Sequence, residues 1–137
     1  MFFFQHPLAD LVVPADDLAF IDRLWADWSP GFASSEDIES VKVALRDPAN
    51  LQAALGYYRD TLSPEAMVAL QGSPPVEPTQ PLLYLHGAGD GCVGAEVAQM
   101  VDAANVRCEI VDGAGHFLHL EQPKIVNRLI LEHLSTS

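Results

Sequence analysis

Two apolar runs in the second half of the chain, each followed by a helical pattern, constrain the fold more than any other feature. Residues 81–86 form an apolar run bounded by turns, and Val106–Val111 forms a second one. Such runs are typical of strands buried on both faces of a parallel sheet. Helical patterns at 94–104 and 122–134 follow them, so we predict two parallel strands joined by a right-handed crossover. The predicted fold class is α/β.

A sheet of only two parallel strands is itself incomplete. Two strands do not make a stable sheet alone, and an open edge exposes unpaired backbone groups. We therefore expect the remaining strands to come from a longer protein of which this chain is a truncated part, from a complementing chain, or from a second copy that forms a dimer edge to edge. The apolar start at Met1–Phe4 also reads as the continuation of a buried segment.

The first part of the chain carries helical patterns and no predicted strand. After an extended or irregular start up to Pro14, apolar residues at three- and four-residue spacing predict three helices. These cover residues 16–28, 34–46 and 48–59. Asp16-Asp17, Ser34 and Asp47-Pro48 supply their N-terminal signals.

The domain prediction follows from this division. Residues 63–80 are rich in proline and small polar residues, which is typical of a linker, with one helical turn at 65–70. We predict a helical region at 1–62, a linker at 63–80 and an α/β region at 81–137.

The excess of acidic over basic residues restricts the molecules that the chain can bind. Seven Lys and Arg residues stand against 19 Asp and Glu residues, which gives a formal net charge of −12. This charge argues against nucleic acid or a membrane surface as partner. No apolar run reaches membrane-spanning length, and Met1–Phe4 lacks the basic flank of a signal peptide. Cys92 and Cys108 are too few for a disulfide framework, so a cytoplasmic location is predicted.

The loops after the two predicted strands carry the residues best suited to chemistry. Asp90 lies just past the first strand, within Gly87-Ala88-Gly89-Asp90. His116 lies on a glycine-flanked loop after the second strand. Glycine leaves room for a close approach to the imidazole, and an imidazole can take up and return a proton near neutral pH.

These two loops carry a family resemblance. Gly-x-x-Asp after one strand, then Gly-x-Gly-His-Phe-x-x-x-Glu-Gln-Pro at 113–123, resembles the C-terminal third of the α/β-hydrolase superfamily. The match is nearest to the epoxide hydrolase and haloalkane dehalogenase branch, and within it to epoxide-hydrolase-like proteins. The resemblance implies an incomplete α/β-hydrolase fold: a helical cap (lid) at 1–62, followed by the last two parallel strands and helices of the core.

The resemblance also implies a role for each of three residues. His116 is the base that activates a water, and Asp90 is the acid that orients His116. The water hydrolyses an ester formed on a nucleophilic aspartate. Tyr58, in a Tyr-Arg context on a late cap helix, matches one of two cap tyrosines that donate to the oxygen of an opening epoxide. The implied substrate is a small apolar molecule, and neither a cofactor nor a metal is implied.

The nucleophile is not found in this sequence. No serine lies in Gly-x-Ser-x-Gly, and Asp90 stands in the acid's place in chain order. We therefore expect the chain alone to be catalytically inactive. Two other functions stay open: a non-catalytic interaction module that binds a partner through its open sheet edge, and a serine esterase with the same acid and base. From the residues alone, Asp90 could equally cap a helix, His116 could make a structural loop contact, and Tyr58 could be a packing aromatic.

Overall fold

The computed structural model describes residues 2–72, 79–100 and 105–136. The chain divides into two compact units, Met1–Leu24 with Ser34–Val76, and Trp25–Ala33 with Glu77–Ser137. Residues 25–33, which the domain prediction assigns to the helical cap, thus belong to the unit that contains the strands. The boundaries 1–62, 63–80 and 81–137 stay a prediction about the domains of the family.

The first unit is helical in its described residues. Its elements are a 3₁₀ helix at Phe2–Gln5 and helices α1 (Ala9–Val12), α2 (Ala15–Trp28, whose last turn lies in the second unit), α3 (Ser35–Leu45), α4 (Pro48–Thr61) and α5 (Pro64–Gly72). The predicted helices are confirmed to within a few residues. Two of the three predicted N-caps are confirmed, since the Ser34 side chain accepts from Asp37 N–H and the Asp47 side chain accepts from Ala49 N–H.

The prediction of an extended or irregular start up to Pro14 is wrong. Helical turns fill most of this stretch, because Ala9 and Val13, four residues apart, are both buried in the core of the helical unit. Pro7 and Pro14 lie outside α1 and so do not interrupt its hydrogen bonds. The positions of the prolines therefore do not indicate the secondary structure of this segment.

The predicted opening of α2 is also wrong in detail. Asp16, Asp17 and Leu18 have φ angles of 51°, 53° and 62°, so the right-handed helix begins only after Leu18. Residues other than glycine rarely adopt this left-handed backbone conformation. Two tertiary contacts accompany it: Leu18 is buried, and Arg46 donates from Nε and Nη2 to the two carboxylate oxygens of Asp17 at 2.9 and 2.8 Å.

The second unit contains a two-stranded sheet. Strands β1 (Leu82–Gly87) and β2 (Val106–Val111) run parallel, with Leu82 opposite Val106 and Gly87 opposite Val111. The helices of this unit are α6 (Glu96–Gln99), α7 (Leu118–Glu121) and α8 (Pro123–Thr136). Both predicted strands, their parallel pairing and the last helix are confirmed. The predicted helix at 94–104 is shorter in its described part: Gly94, Ala95 and Met100 lie outside α6, and residues 101–104 lie outside the described part.

The strands are less buried than predicted. Val111, Ala114 and Leu129 form a small core against which Leu83 and Leu85 pack. At the other extreme, Leu82 and Ile110 are 46% and 40% exposed. Burial on both faces is therefore wrong for these residues, since the described sheet has two strands and its helices cover it incompletely. In the described segments, we find no helix both long enough and apolar enough to cross a bilayer.

Candidate active site

The site forms where the two strands end side by side. Gly87 and Val111 are paired at the last position of the ladder, so the loops that follow leave the same edge of the sheet. Backbone bonds join these loops, from Ala88 N–H to the Val111 carbonyl at 3.0 Å and from Gly89 N–H to the Ala114 carbonyl at 2.8 Å. A Cβ on Gly87 would lie 2.0 Å from the carbonyl oxygen of Gly115. Only glycine permits this approach.

The structure brings Asp90 and His116 together. Oδ2 of Asp90 lies 2.9 Å from Nδ1 of His116, although the two residues are 26 positions apart in the chain. The Asp90 side chain is 7% exposed and that of His116 is 30% exposed. A buried acid therefore contacts a ring that solvent can reach.

The second oxygen of Asp90 is held by its own loop. Oδ1 accepts hydrogen bonds from the N–H groups of Cys92 and Val93, at 2.7 and 3.0 Å. Burial alone would raise the pKa of Asp90, but the hydrogen bonds from Val93, His116 and Cys92 outweigh it, and the pKa lies below its ordinary value. Asp90 is thus a carboxylate at neutral pH.

The charge on Asp90 determines the tautomer of His116. A carboxylate can only accept, so Nδ1 of His116 must carry the hydrogen, and in the neutral ring Nε2 has the free lone pair. Nε2 has no hydrogen-bond partner among residues 2–72, 79–100 and 105–136. The arrangement can therefore orient a water at Nε2 and accept its proton, as a general base does.

His86 supports the acid loop rather than offering a second base. Its ring is 4% exposed, with Nδ1 2.8 Å from the Tyr84 hydroxyl and Nε2 3.0 Å from the Val93 carbonyl. The carbonyl only accepts, so Nε2 donates to it and Nδ1 accepts from Tyr84. Nε2 lies 3.9 Å from Oδ2 of Asp90, which is too long for a hydrogen bond. Both ring nitrogens are thus occupied.

Sequence reasoning missed a contribution from residues 25–33. The carbonyl of Trp28 accepts from Gly91 N–H at 3.0 Å and from His116 N–H at 3.1 Å, so it joins the acid and base loops. The Trp28 ring meets the His116 ring edge-on, with centroids 4.7 Å apart. Trp25 stacks on Phe117 at 3.9 Å. No local signal marks this segment, because its partners lie some sixty to ninety positions further along the chain.

Known proteins are similar to this chain over most of its length. No protein-family model matches it. It is similar to the AB hydrolase superfamily protein YfhM of Bacillus subtilis (strain 168), at 33% identity over 107 residues, which is 77% of this chain and 36% of the relative. It is 27% identical to human Epoxide hydrolase 4 (94% of this chain, 37% of the relative) and 24% identical to Epoxide hydrolase 1 of Caenorhabditis elegans (98% and 34%).

The resemblance to epoxide-hydrolase-like α/β-hydrolases is confirmed. The chain spans about a third of the length of each of these three relatives. Its two parallel strands and their helices are compatible with part of an α/β-hydrolase fold.

Tyr58, the third residue that the α/β-hydrolase resemblance singles out, lies in the helical unit. It is half-buried on α4, where its ring contacts that of Phe4 at 4.6 Å and that of Tyr57 at 5.5 Å. It packs against the core of that unit. Its role as a proton donor stays a prediction.

Cys92 is a poor candidate for the nucleophile that α/β-hydrolases require. Burial raises the pKa of its thiol, and the charge of Asp90 raises it further. The thiolate is the reactive form of cysteine, so this environment disfavours attack by Cys92.

In the described part of the chain, no cluster of three or more His, Cys, Asp or Glu side chains could hold a metal ion.

Proposed function

We propose that this chain supplies the base and the acid of an α/β-hydrolase active site, with His116 activating a water and Asp90 orienting His116. The observation that carries the proposal is the 2.9 Å contact between Oδ2 of a buried, ionised Asp90 and Nδ1 of a partly exposed His116. Three relatives named as an AB hydrolase and as epoxide hydrolases support the reaction class.

The proposed chemistry is hydrolysis through an ester intermediate. An aspartate outside this chain attacks a small apolar epoxide and forms the ester, while Tyr58 donates a proton to the epoxide oxygen. A water hydrogen-bonded to Nε2 of His116 then attacks the ester carbonyl carbon and gives its proton to Nε2. The bond from the carbonyl carbon to the alkoxide breaks, and the imidazolium protonates the alkoxide. The remaining proton of the water, left on the regenerated carboxyl group, passes to the phenolate of Tyr58, so both residues return to their starting states and a diol is released.

Asp90 acts on this step through charge. When Nε2 takes up the proton the ring becomes cationic, and the carboxylate at Nδ1 stabilises that cation. Because Asp90 also accepts two backbone hydrogen bonds, its orientation toward His116 is fixed before substrate arrives. The water-activating step thus needs little reorganisation within this loop.

The family domains are part of the same proposal. Residues 1–62 would be a helical cap, 63–80 a linker, and 81–137 the last two strands and helices of an α/β-hydrolase core. The helical content of the first unit and the βαβ order of the second support this division. A two-stranded sheet is marginal alone, so we propose that its free edge receives further strands, from a longer chain, a complementing chain or a second copy. Alone, the chain should be inactive.

A chimera tests the activity. In YfhM of Bacillus subtilis, this chain replaces the matched region, and hydrolysis is measured on apolar epoxides and on p-nitrophenyl esters. We expect epoxide hydrolysis, and His116→Ala should lower kcat by at least about 10³-fold. His119→Ala is the matched control, since His119 is an exposed histidine three residues away and should leave the rate within about twofold.

The His116→Gln chimera tests the ester intermediate. Without a base the second step stalls, so the protein should gain the full mass of the epoxide in intact-mass spectrometry. Activity on esters alone would instead assign a serine esterase. A folded chimera that is inert on both substrate classes, or undiminished activity in His116→Ala, would contradict the proposal.

A further inference from the structure

One carboxylate holds the backbone on both sides of His116. Glu121, at the end of α7, accepts from Gly115 N–H through Oε2 at 2.8 Å and from Phe117 N–H through Oε1 at 3.1 Å. These two residues flank His116 directly. The carboxylate therefore restrains the loop before and after the imidazole.

A buried serine from a distant segment completes this restraint. Ser29 is 0% exposed, and its Oγ donates to Oε1 of Glu121 at 2.8 Å and accepts from Phe117 N–H at 3.1 Å. The hydroxyl thus uses both its donor and an acceptor position. It lies 92 positions before Glu121 in the chain, so the contact is purely tertiary.

Three successive backbone N–H groups are accounted for in this way. Those of Gly115 and Phe117 bind Glu121 and Ser29, and that of His116 binds the carbonyl of Trp28 at 3.1 Å. A loop whose donors are all paired with fixed acceptors has little backbone freedom. The packing is also tight, since a Cβ on Gly115 would lie 2.7 Å from Cα of Ser29.

We infer that Ser29 and Glu121 are positioning residues for the base. They act through the backbone of 115–117 and place Nδ1 of His116 at Oδ2 of Asp90, which in turn selects the tautomer with Nε2 free. The importance of Ser29 and Glu121 for catalysis rests on the proposed function. The orientation and tautomer of His116, however, can be measured without catalytic turnover.

The experiment uses the whole chain and ¹⁵N–¹H NMR of its histidine rings near pH 8. In the unmodified chain His116 should populate the Nδ1–H tautomer and show a hydrogen-bonded Nδ1 proton. In Glu121→Ala the fraction of this tautomer should fall by roughly half or more, and the Nδ1 proton should be lost to exchange. Glu121→Gln, which keeps one acceptor oxygen, should show a smaller change, and so should Ser29→Ala.

Two exposed substitutions serve as controls. Glu36→Gln and Ser40→Ala change the same residue types on α3, which belongs to the first compact unit, and should leave the His116 signals unchanged. Circular dichroism checks that each variant is folded. If Glu121→Ala does not fold, the milder Glu121→Gln and Ser29→Ala carry the test.

The outcomes separate this inference from the proposed function. If the variants are less stable but His116 keeps its tautomer and its Nδ1 proton, Ser29 and Glu121 are structural only and the inference is overturned. If the tautomer changes as expected while the YfhM chimera stays inert, positioning stands and the proposed hydrolase activity fails.

Discussion

The acid and the base of the site are held in different ways. The acid loop, residues 88–93, is organised locally: Asp90 accepts from Cys92 and Val93, two and three positions further on. The base loop, residues 113–117, depends on Glu121 and on Trp28 and Ser29, nearly ninety positions earlier. Each loop thus has a carboxylate that binds nearby backbone N–H groups, and each binds the Trp28 carbonyl, while the base loop in addition binds the distant Ser29 hydroxyl.

This difference indicates which substitutions should destabilise the site most. Both loops need the Trp28 carbonyl in place, and the base loop also needs Ser29, against which Gly115 packs tightly. Added volume in the base loop should therefore be more damaging than replacement of a single polar side chain at the site. Four substitutions test this order, from the largest expected effect to the smallest.

Gly115→Ala should be the most damaging change. The new Cβ would lie 2.7 Å from Cα and 2.8 Å from Oγ of Ser29, so the base loop must move. We expect a loss of about 1–3 kcal/mol in the free energy of unfolding in urea. Gly56→Ala on α4 is the matched control, because a Cβ there meets nothing within 4 Å, and helix propensity predicts a gain of about 0.5–1 kcal/mol. Equal effects at both positions would contradict the tight packing of the base loop.

Asp90→Asn should cost less and depend on pH. Asn keeps an acceptor oxygen but not the charge, so we expect stability to fall by about 1–1.5 kcal/mol at pH 7, the difference between charged and neutral hydrogen bonds. Because the folded-state pKa of Asp90 is depressed, its contribution is present above the unfolded pKa of about 3.9 and is lost as pH falls through the folded value. The difference between wild type and variant should therefore be constant above about pH 5 and shrink below about pH 4. Urea titrations at several pH values measure it, and a difference that grows on acidification would refute the assignment.

Ser29→Ala should have an intermediate to small effect on stability. It removes one buried hydroxyl, but Phe117 N–H keeps its bond to Glu121, so about 1 kcal/mol is expected. Thermal unfolding with Ser40→Ala as reference gives the comparison, since the Ser40 hydroxyl is exposed and bonds only to a helix carbonyl. No loss relative to Ser40→Ala would show that Ser29 is dispensable for the base loop.

Cys92→Ala should be the mildest change. Asp90 uses the backbone N–H of Cys92 and not its thiol, so the acid loop should survive and stability should change by less than about 0.5 kcal/mol. In the unmodified chain, alkylation of this thiol near pH 8 should be slower than that of an ordinary exposed cysteine, because its pKa is raised. Rapid alkylation would contradict the environment described for Cys92.

Sequence patterns predicted the parts that depend on local signals. The two strands, helices α3 and α4 with their caps, and the position of Asp90 and His116 just past strand ends all follow from periodicity and turn residues. The left-handed turn at Asp16–Leu18 could not be predicted, since none of these three residues is a glycine and no local pattern marks positive φ angles there. The same holds for Ser29, which carries no local mark of its contact with Glu121.

The tautomer of His116 in the unmodified chain is the most direct test of the central claim. The claim is that an ionised Asp90 fixes His116 with its hydrogen on Nδ1 and leaves Nε2 free to activate water. Long-range ¹⁵N–¹H correlation spectra near pH 8 should show the Nδ1–H form for His116, with a hydrogen-bonded Nδ1 proton that disappears in Asp90→Asn. A ring that carries its hydrogen on Nε2, with spectra unchanged in Asp90→Asn, would contradict the account.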